Sequence, residues 1–136
     1  MRGPRRKARE AALKILYQME SRGQEALAGE ERSLAALRDR AYAEELVQAC
    51  REGRAELDRV ITAASKNWAF SRIPLLDRNI LRIGIHEILH SGEVPRRVAI
   101  DEAVRLAKRY GDKKSYAFVN GILDSVKRKG SEEEEE

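Results

Sequence analysis

The chain offers almost no sulfur chemistry. One cysteine, Cys50, stands in 136 residues, which excludes an intramolecular disulfide. It follows Leu46 by four residues in an apolar helical pattern, the place of a small buried thiol rather than of an activated nucleophile. No stretch approaches the roughly 18 unbroken apolar residues of a membrane-spanning helix. The basic start also lacks the apolar segment of a secretory signal. A cytoplasmic protein with no membrane partner is expected. Glycine-rich phosphate loops, a G-x-S-x-G elbow and cysteine pairs are missing too, so neither catalytic residues nor a cofactor are expected. Alternating strand patterns bounded by hairpin turns are absent as well, which leaves an all-α chain.

Histidine is nearly as scarce, but both copies fall together. His86-Glu87-Ile88-Leu89-His90 spells H-E-x-x-H, two imidazoles one helical turn apart as zinc peptidases require. A catalytic zinc needs a third protein ligand and an open coordination position. With no third histidine, Glu93 or Glu102 would have to complete the set. Glu87 falls on the wheel among Leu76, Ile80 and Ile83, the place of a core carboxylate, with His86 and His90 nearer the surface. No metal is expected, and zinc peptidase stays as the competing enzyme reading.

What the chain has in plenty is positive charge. The net charge is +4, but Glu132 to Glu136 carry five negatives, so residues 1–131 carry +9. That excess favours a polyanionic partner, nucleic acid ahead of membrane. Residues 131–136 read as a disordered acidic tail, either a solubilising end or an intramolecular competitor for the basic face. Arg2, Arg5, Arg6 and Arg9 span about 100° of arc on a first helix. Leu13 and Tyr17 continue that flank, while Ala8, Ala12, Ile15 and Met19 face inward. The strip reads as a grip on a phosphate backbone, or as a frayed, solvated terminus.

Helical periodicity runs through the rest. The first helix spans about Pro4 to Ser21, before a loop marked by Gly23 and Gly29. Leu34 and Leu37, then Leu46, Val47 and Cys50, supply apolar faces, and Leu57, Ile61, Ala64 and Trp68 make the next buried stripe. Trp68 to Pro74 connects two sub-bundles, about 1–67 and 74–129, of one domain covering 1–130. Leu75 to Leu89 is apolar nearly all round and belongs at the centre. Pro95 opens a helix with Val98, Ile100, Ala103, Val104 and Ala107, and Gly111 ends it as a left-handed cap. Ser115 N-caps the last helix, whose Phe118, Val119, Ile122, Leu123 and Val126 pack inward. Lys127, Arg128 and Lys129 suit its C-terminal dipole, and mid-helix Gly121 suits a close helix approach.

Four motifs then stand in order: Arg-Arg-Lys-Ala-Arg-Glu at 5–10 leading to Leu16-Tyr17-Gln18; Asp77-Arg78-Asn79-Ile80-Leu81-Arg82; Pro95 with Val98-Ala99-Ile100-Asp101-Glu102-Ala103-Val104; and Phe118-Val119-Asn120-Gly121-Ile122-Leu123-Asp124. In this order and spacing, from Arg5 to Val126, the chain resembles the NusB family of bacterial transcription antitermination factors. The resemblance implies about seven helices in two small bundles. It also implies pairing with NusE, a ribosomal small-subunit protein, to bind single-stranded boxA in nascent ribosomal RNA and promote read-through within an RNA polymerase antitermination complex. The resemblance also implies that some members self-associate, with a homodimer able to hide the RNA-binding side. The second reading is the NusB-like accessory domain of an rRNA methyltransferase system.

Carried over by position, the resemblance assigns RNA contact to Arg5, Arg6, Arg9 and Tyr17, with Arg2 on the same strip. Phe118 becomes a stacking platform, or else an ordinary core residue. Asp77 and Arg82 fall near the partner surface, and Arg78, Arg82 and His86 form an i, i+4, i+8 stripe for partner or RNA contact, or a solvated stripe. The family usually has asparagine at Asp101, tyrosine at His86 and an acidic residue near Lys113 and Lys114. These two lysines are therefore expected to strengthen RNA binding.

Overall fold

The computed structural model describes residues 2–22 and 38–127, without the side chains of Arg2, Gly3 and Pro4. The expected loop at Gly23 and Gly29, the Leu34 and Leu37 segment, Arg128, Lys129 and the acidic tail lie outside the described residues. Among those described there are six α-helices and no strand: α1 (Arg2–Arg22), α2 (Arg40–Glu52), α3 (Arg54–Ala64), α4 (Leu75–His90), α5 (Arg96–Tyr110) and α6 (Ser115–Asp124), with a 3-10 turn at Phe70–Arg72. The all-α expectation holds. No helix among the described residues is long and apolar enough to cross a membrane.

Two compact units divide the chain, residues 1–53 and 54–136. In the first, α1 packs on α2. Ala8, Ala12, Leu13, Ile15 and Leu16 are buried on one side and Tyr42, Ala43, Leu46, Val47 and Cys50 on the other. Two alanines at i, i+4 leave no bulk between the backbones, and Cys50 is the buried thiol its position implies. Leu13 belongs to this core and not to the exposed flank with Tyr17.

In the second unit α4 is the centre, packed on α3, α5 and α6. Every residue from Asn79 to Ile88 is buried, as a helix apolar nearly all round requires. Gly84 sets the approach of α6, because a β-carbon there would stand 2.9 Å from Leu123 Cδ1 and 3.4 Å from Ala103 Cβ. Gly121 is exposed and a β-carbon there would meet nothing within 4 Å. The glycine that lets helices close is thus Gly84 and not Gly121. α3, which periodicity placed with the N-terminal bundle, packs on α4.

The turns explain three further departures. α3 ends at Ala64, and the Ser65 hydroxyl donates to the Trp68 carbonyl at 3.0 Å. This turns the chain and leaves Trp68 54% exposed instead of on the buried stripe. Gly111 is extended, φ −91° and ψ −173°, not left-handed. Its hydrogen is required for space, since a β-carbon would lie 2.5 Å from Ser115 Cβ and 2.8 Å from the Ala107 carbonyl. Capping of α6 falls to Asp112, whose Oδ1 accepts the Lys114 and Ser115 amides at 2.9 and 3.1 Å. Ser115 is the first helical residue, and its hydroxyl points inward.

Candidate nucleic-acid interface

α1 carries the expected basic strip, rotated. The buried arc is wider than its alanines, because Leu13 and Leu16 extend it over Arg9, which is 2% exposed. Arg9 lies with its guanidinium 5.9 Å from the centre of the buried Tyr42 ring. Arg5 stacks closer on the same ring, at 4.1 Å, and its Nε stands 3.6 Å from Asp39 Oδ2. Stacking of guanidinium on an aromatic face is favourable even when partly desolvated. These two arginines therefore bind α1 to α2. A surface contact for Arg9 does not fit its burial, and Arg5 offers only a partly exposed edge. The side chain of Arg2 lies outside the described residues.

The solvent side of α1 belongs to others. Lys7, Lys14 and Tyr17 are exposed and Arg6 is half-exposed. At 100° per residue, Arg6, Tyr17, Lys14 and Lys7 fall within about 100° of arc. Tyr17, the one aromatic of this helix, is 40% exposed. Lys7 and Lys14 were not singled out by sequence. Their i, i+7 spacing, with Tyr17 three residues beyond Lys14, was the signal that could have found them.

A second basic and aromatic group surrounds the turn between α5 and α6. Lys113 and Lys114 are exposed, held where the Asp112 carboxylate fixes the backbone. Lys108 Nζ lies 5.1 Å from the centre of the Tyr116 ring, itself 45% exposed. Phe118 is half-buried. Tyr116 had no place in the sequence reading, yet it is the more open aromatic of this helix.

The residues expected at a partner surface are mostly spent inside. Arg82 is 2% exposed. Its Nε and Nη2 donate to Asp58 Oδ1 and Oδ2 at 2.7 and 3.1 Å, and Nη1 donates to Asn79 Oδ1 at 3.0 Å. Asp77 is buried, 2.9 Å from the Ser115 hydroxyl, which also lies 3.2 Å from Asp112 Oδ1. Burial first, with Asp112 adding to it and Ser115 opposing, raises the Asp77 pKa above the ordinary carboxylate value. His86 is buried instead of near the surface, because α4 is enclosed along its length. Its Nε2 has no hydrogen-bond partner. Burial first, then the His90 ring 5.8 Å away, lowers its pKa, and Glu56 partly opposes this. Arg78 is half-buried, with its guanidinium 5.0 Å from the Phe70 ring.

The H-E-x-x-H residues do not make a cleft. Glu87 is 1% exposed, in the core. His90 is exposed and pairs with Glu56 at 3.3 Å. Among the described residues no group of three or more His, Cys, Asp or Glu is placed to hold a metal ion.

Comparison with known proteins settles the family. Residues 6–128 match the NusB family. The chain belongs to the NusB family. The transcription antitermination protein NusB of Trichlorobacter lovleyi is 44% identical, with 97% of this chain and 96% of that protein covered. That of Sorangium cellulosum is also 44% identical, over 91% of each. Among solved structures, NusB of T. maritima superposes with a TM-score of 0.82 at 35% identity, covering 93% of this chain and 92% of that one. A structure of antitermination factors NusB and NusE in complex with dsRNA gives 0.81 at 27% identity, with 93% and 97% covered. The NusB likeness read from the four motifs is thus established.

Proposed function

We propose that this chain is a transcription antitermination factor that binds single-stranded boxA RNA in nascent ribosomal transcripts together with NusE, and so promotes read-through by an RNA polymerase antitermination complex. The observation that carries the reading is the solvent face of α1, where Arg6, Lys7 and Lys14 flank the exposed ring of Tyr17. Cations supply phosphate contacts, and an aromatic face accepts an unpaired base without a duplex groove. Family membership supports the antitermination reading, and a relative's structure of NusB and NusE in complex with dsRNA supports RNA and NusE as partners. Lys113, Lys114 and the Tyr116 and Phe118 rings form a second RNA contact. Arg5 lends charge at its exposed edge. Arg9 positions the helix, and Asp77, Arg82 and His86 shape the unit that carries the partner surface, with Arg78 as its partly exposed member.

The test is RNA binding, by anisotropy of a labelled boxA RNA, with and without NusE. A scrambled single strand and a duplex of the same length serve as competitors. Tighter binding with NusE, and preference for unpaired boxA over both competitors, is the expected result. Equal affinity for all three RNAs, unchanged by NusE, contradicts it.

A further inference from the structure

Trp68 is the most exposed large apolar residue among those described, at 54%. It is displayed on a loop with little freedom to fold it away. Ser65 holds the Trp68 carbonyl at 3.0 Å. The 3-10 turn closes through Arg72 and Ile73 amides donating to the Ala69 and Phe70 carbonyls at 2.9 and 3.1 Å. Phe70, in that turn, has the Arg78 and Arg82 guanidiniums 5.0 and 5.9 Å from its ring centre. Ile73 is buried. A loop anchored at so many points does not expose an indole for want of packing order.

The neighbouring sequence says what the indole suits. Lys66, two residues before it, and Arg72, four residues after it, are exposed, and neither has an ion-pair partner among the described residues. From Ser65 to Leu76 there is no carboxylate. An acidic group with a flat apolar face is the complement of such a patch, and an unpaired nucleotide supplies both, phosphate to the cations and base to the ring.

We propose that Trp68, with Lys66 and Arg72, is a stacking subsite for an unpaired nucleotide of the bound RNA, additional to the α1 and α6 contacts. The inference rests on the RNA-binding reading above and extends its footprint. Trp68 is the chain's only tryptophan, so its emission reports on this site alone. The full chain is titrated with boxA RNA extended by unpaired nucleotides, and tryptophan emission and RNA anisotropy are read in the same samples. Emission quenched in step with the anisotropy is expected. Trp68→Ala should weaken binding about fivefold or more, with Trp68→Phe restoring most of it. Lys66→Ala with Arg72→Ala should flatten the salt dependence by about 0.7 log unit for each phosphate left without its cation.

RNA that binds while emission stays constant and Trp68→Ala keeps wild-type affinity overturns the subsite and leaves the parent reading standing. Failure of any RNA to bind removes both. Emission that responds to NusE alone and not to RNA gives the patch to a protein partner and overturns the proposal.

Discussion

Arg82 shows how far a residue's type can mislead about its place. Arg78, Arg82 and His86 share one face by periodicity, and periodicity says nothing of what covers that face. The partner of Arg82 is Asp58, one helix earlier, and two guanidinium bonds at 2.7 and 3.1 Å fix it there. No local pattern announces such a pairing. Arg82→Ala strips a buried cation from Asp58 and should cost about 3 kcal/mol, read as a lowered urea midpoint. The cost is at the low end of such losses because Asp58 is 23% exposed and keeps Arg54 at 3.7 Å. His86 makes a prediction in pH. Its folded pKa lies below the unfolded value of 6.5, so the unfolded chain binds the extra proton in that window. Its contribution is full above pH 6.5 and is lost as the pH falls through the folded value. Asp77 acts with the opposite sign, its share present below 3.8 and lost as the pH rises through its raised folded value. Subtracting the two stability curves isolates the histidine: His86→Gln should lose less stability than the parent on going from pH 7.5 to 5.5. Parallel curves would contradict the burial argument.

At the scale of elements, sequence was a better guide. The nearly all-apolar run of α4 fixes it at the centre, and the observed burial from Asn79 to Ile88 follows from that alone. Helix ends were less legible, because Gly111 and Ser115 look like standard caps while their roles depend on each other across a turn. Glycines separate in the same way. In α6, Gly121 faces open space, so Gly121→Ala should stabilise by about 0.5–1 kcal/mol through helix propensity. In α4, Gly84→Ala drives a methyl into Leu123 at 2.9 Å. Overpacking of about 1–3 kcal/mol exceeds the propensity gain and leaves about 1 kcal/mol of net loss. Thermal melting of the two variants should move in opposite directions. On α1 the arc of Ala8, Ala12, Ile15 and Met19 suggests the buried face, whereas Leu13 and Leu16 carry it over Arg9 and Met19 is only half-buried. The helix was right and its roll was off by part of a turn. That moves the exposed charge from Arg9 to Lys7 and Lys14.

For the molecule as a whole, the +9 of residues 1–131 is the feature that points to a polyanionic partner without any structure. Family membership gives it a setting, and the described surfaces give it a location: lysines and one arginine around Tyr17 on α1, and lysines around Tyr116 beside α6. Binding driven by such contacts releases counterions, so affinity falls with salt at about 0.7 log unit per phosphate neutralised on a single strand. The most direct test measures boxA RNA affinity from low to high salt for the parent chain, for Arg6→Ala with Lys7→Ala and Lys14→Ala, and for Lys113→Ala with Lys114→Ala. Each set should weaken binding and flatten the slope by about 0.7 for every phosphate that no longer meets a cation. Slopes identical to the parent's would show that neither surface holds the RNA.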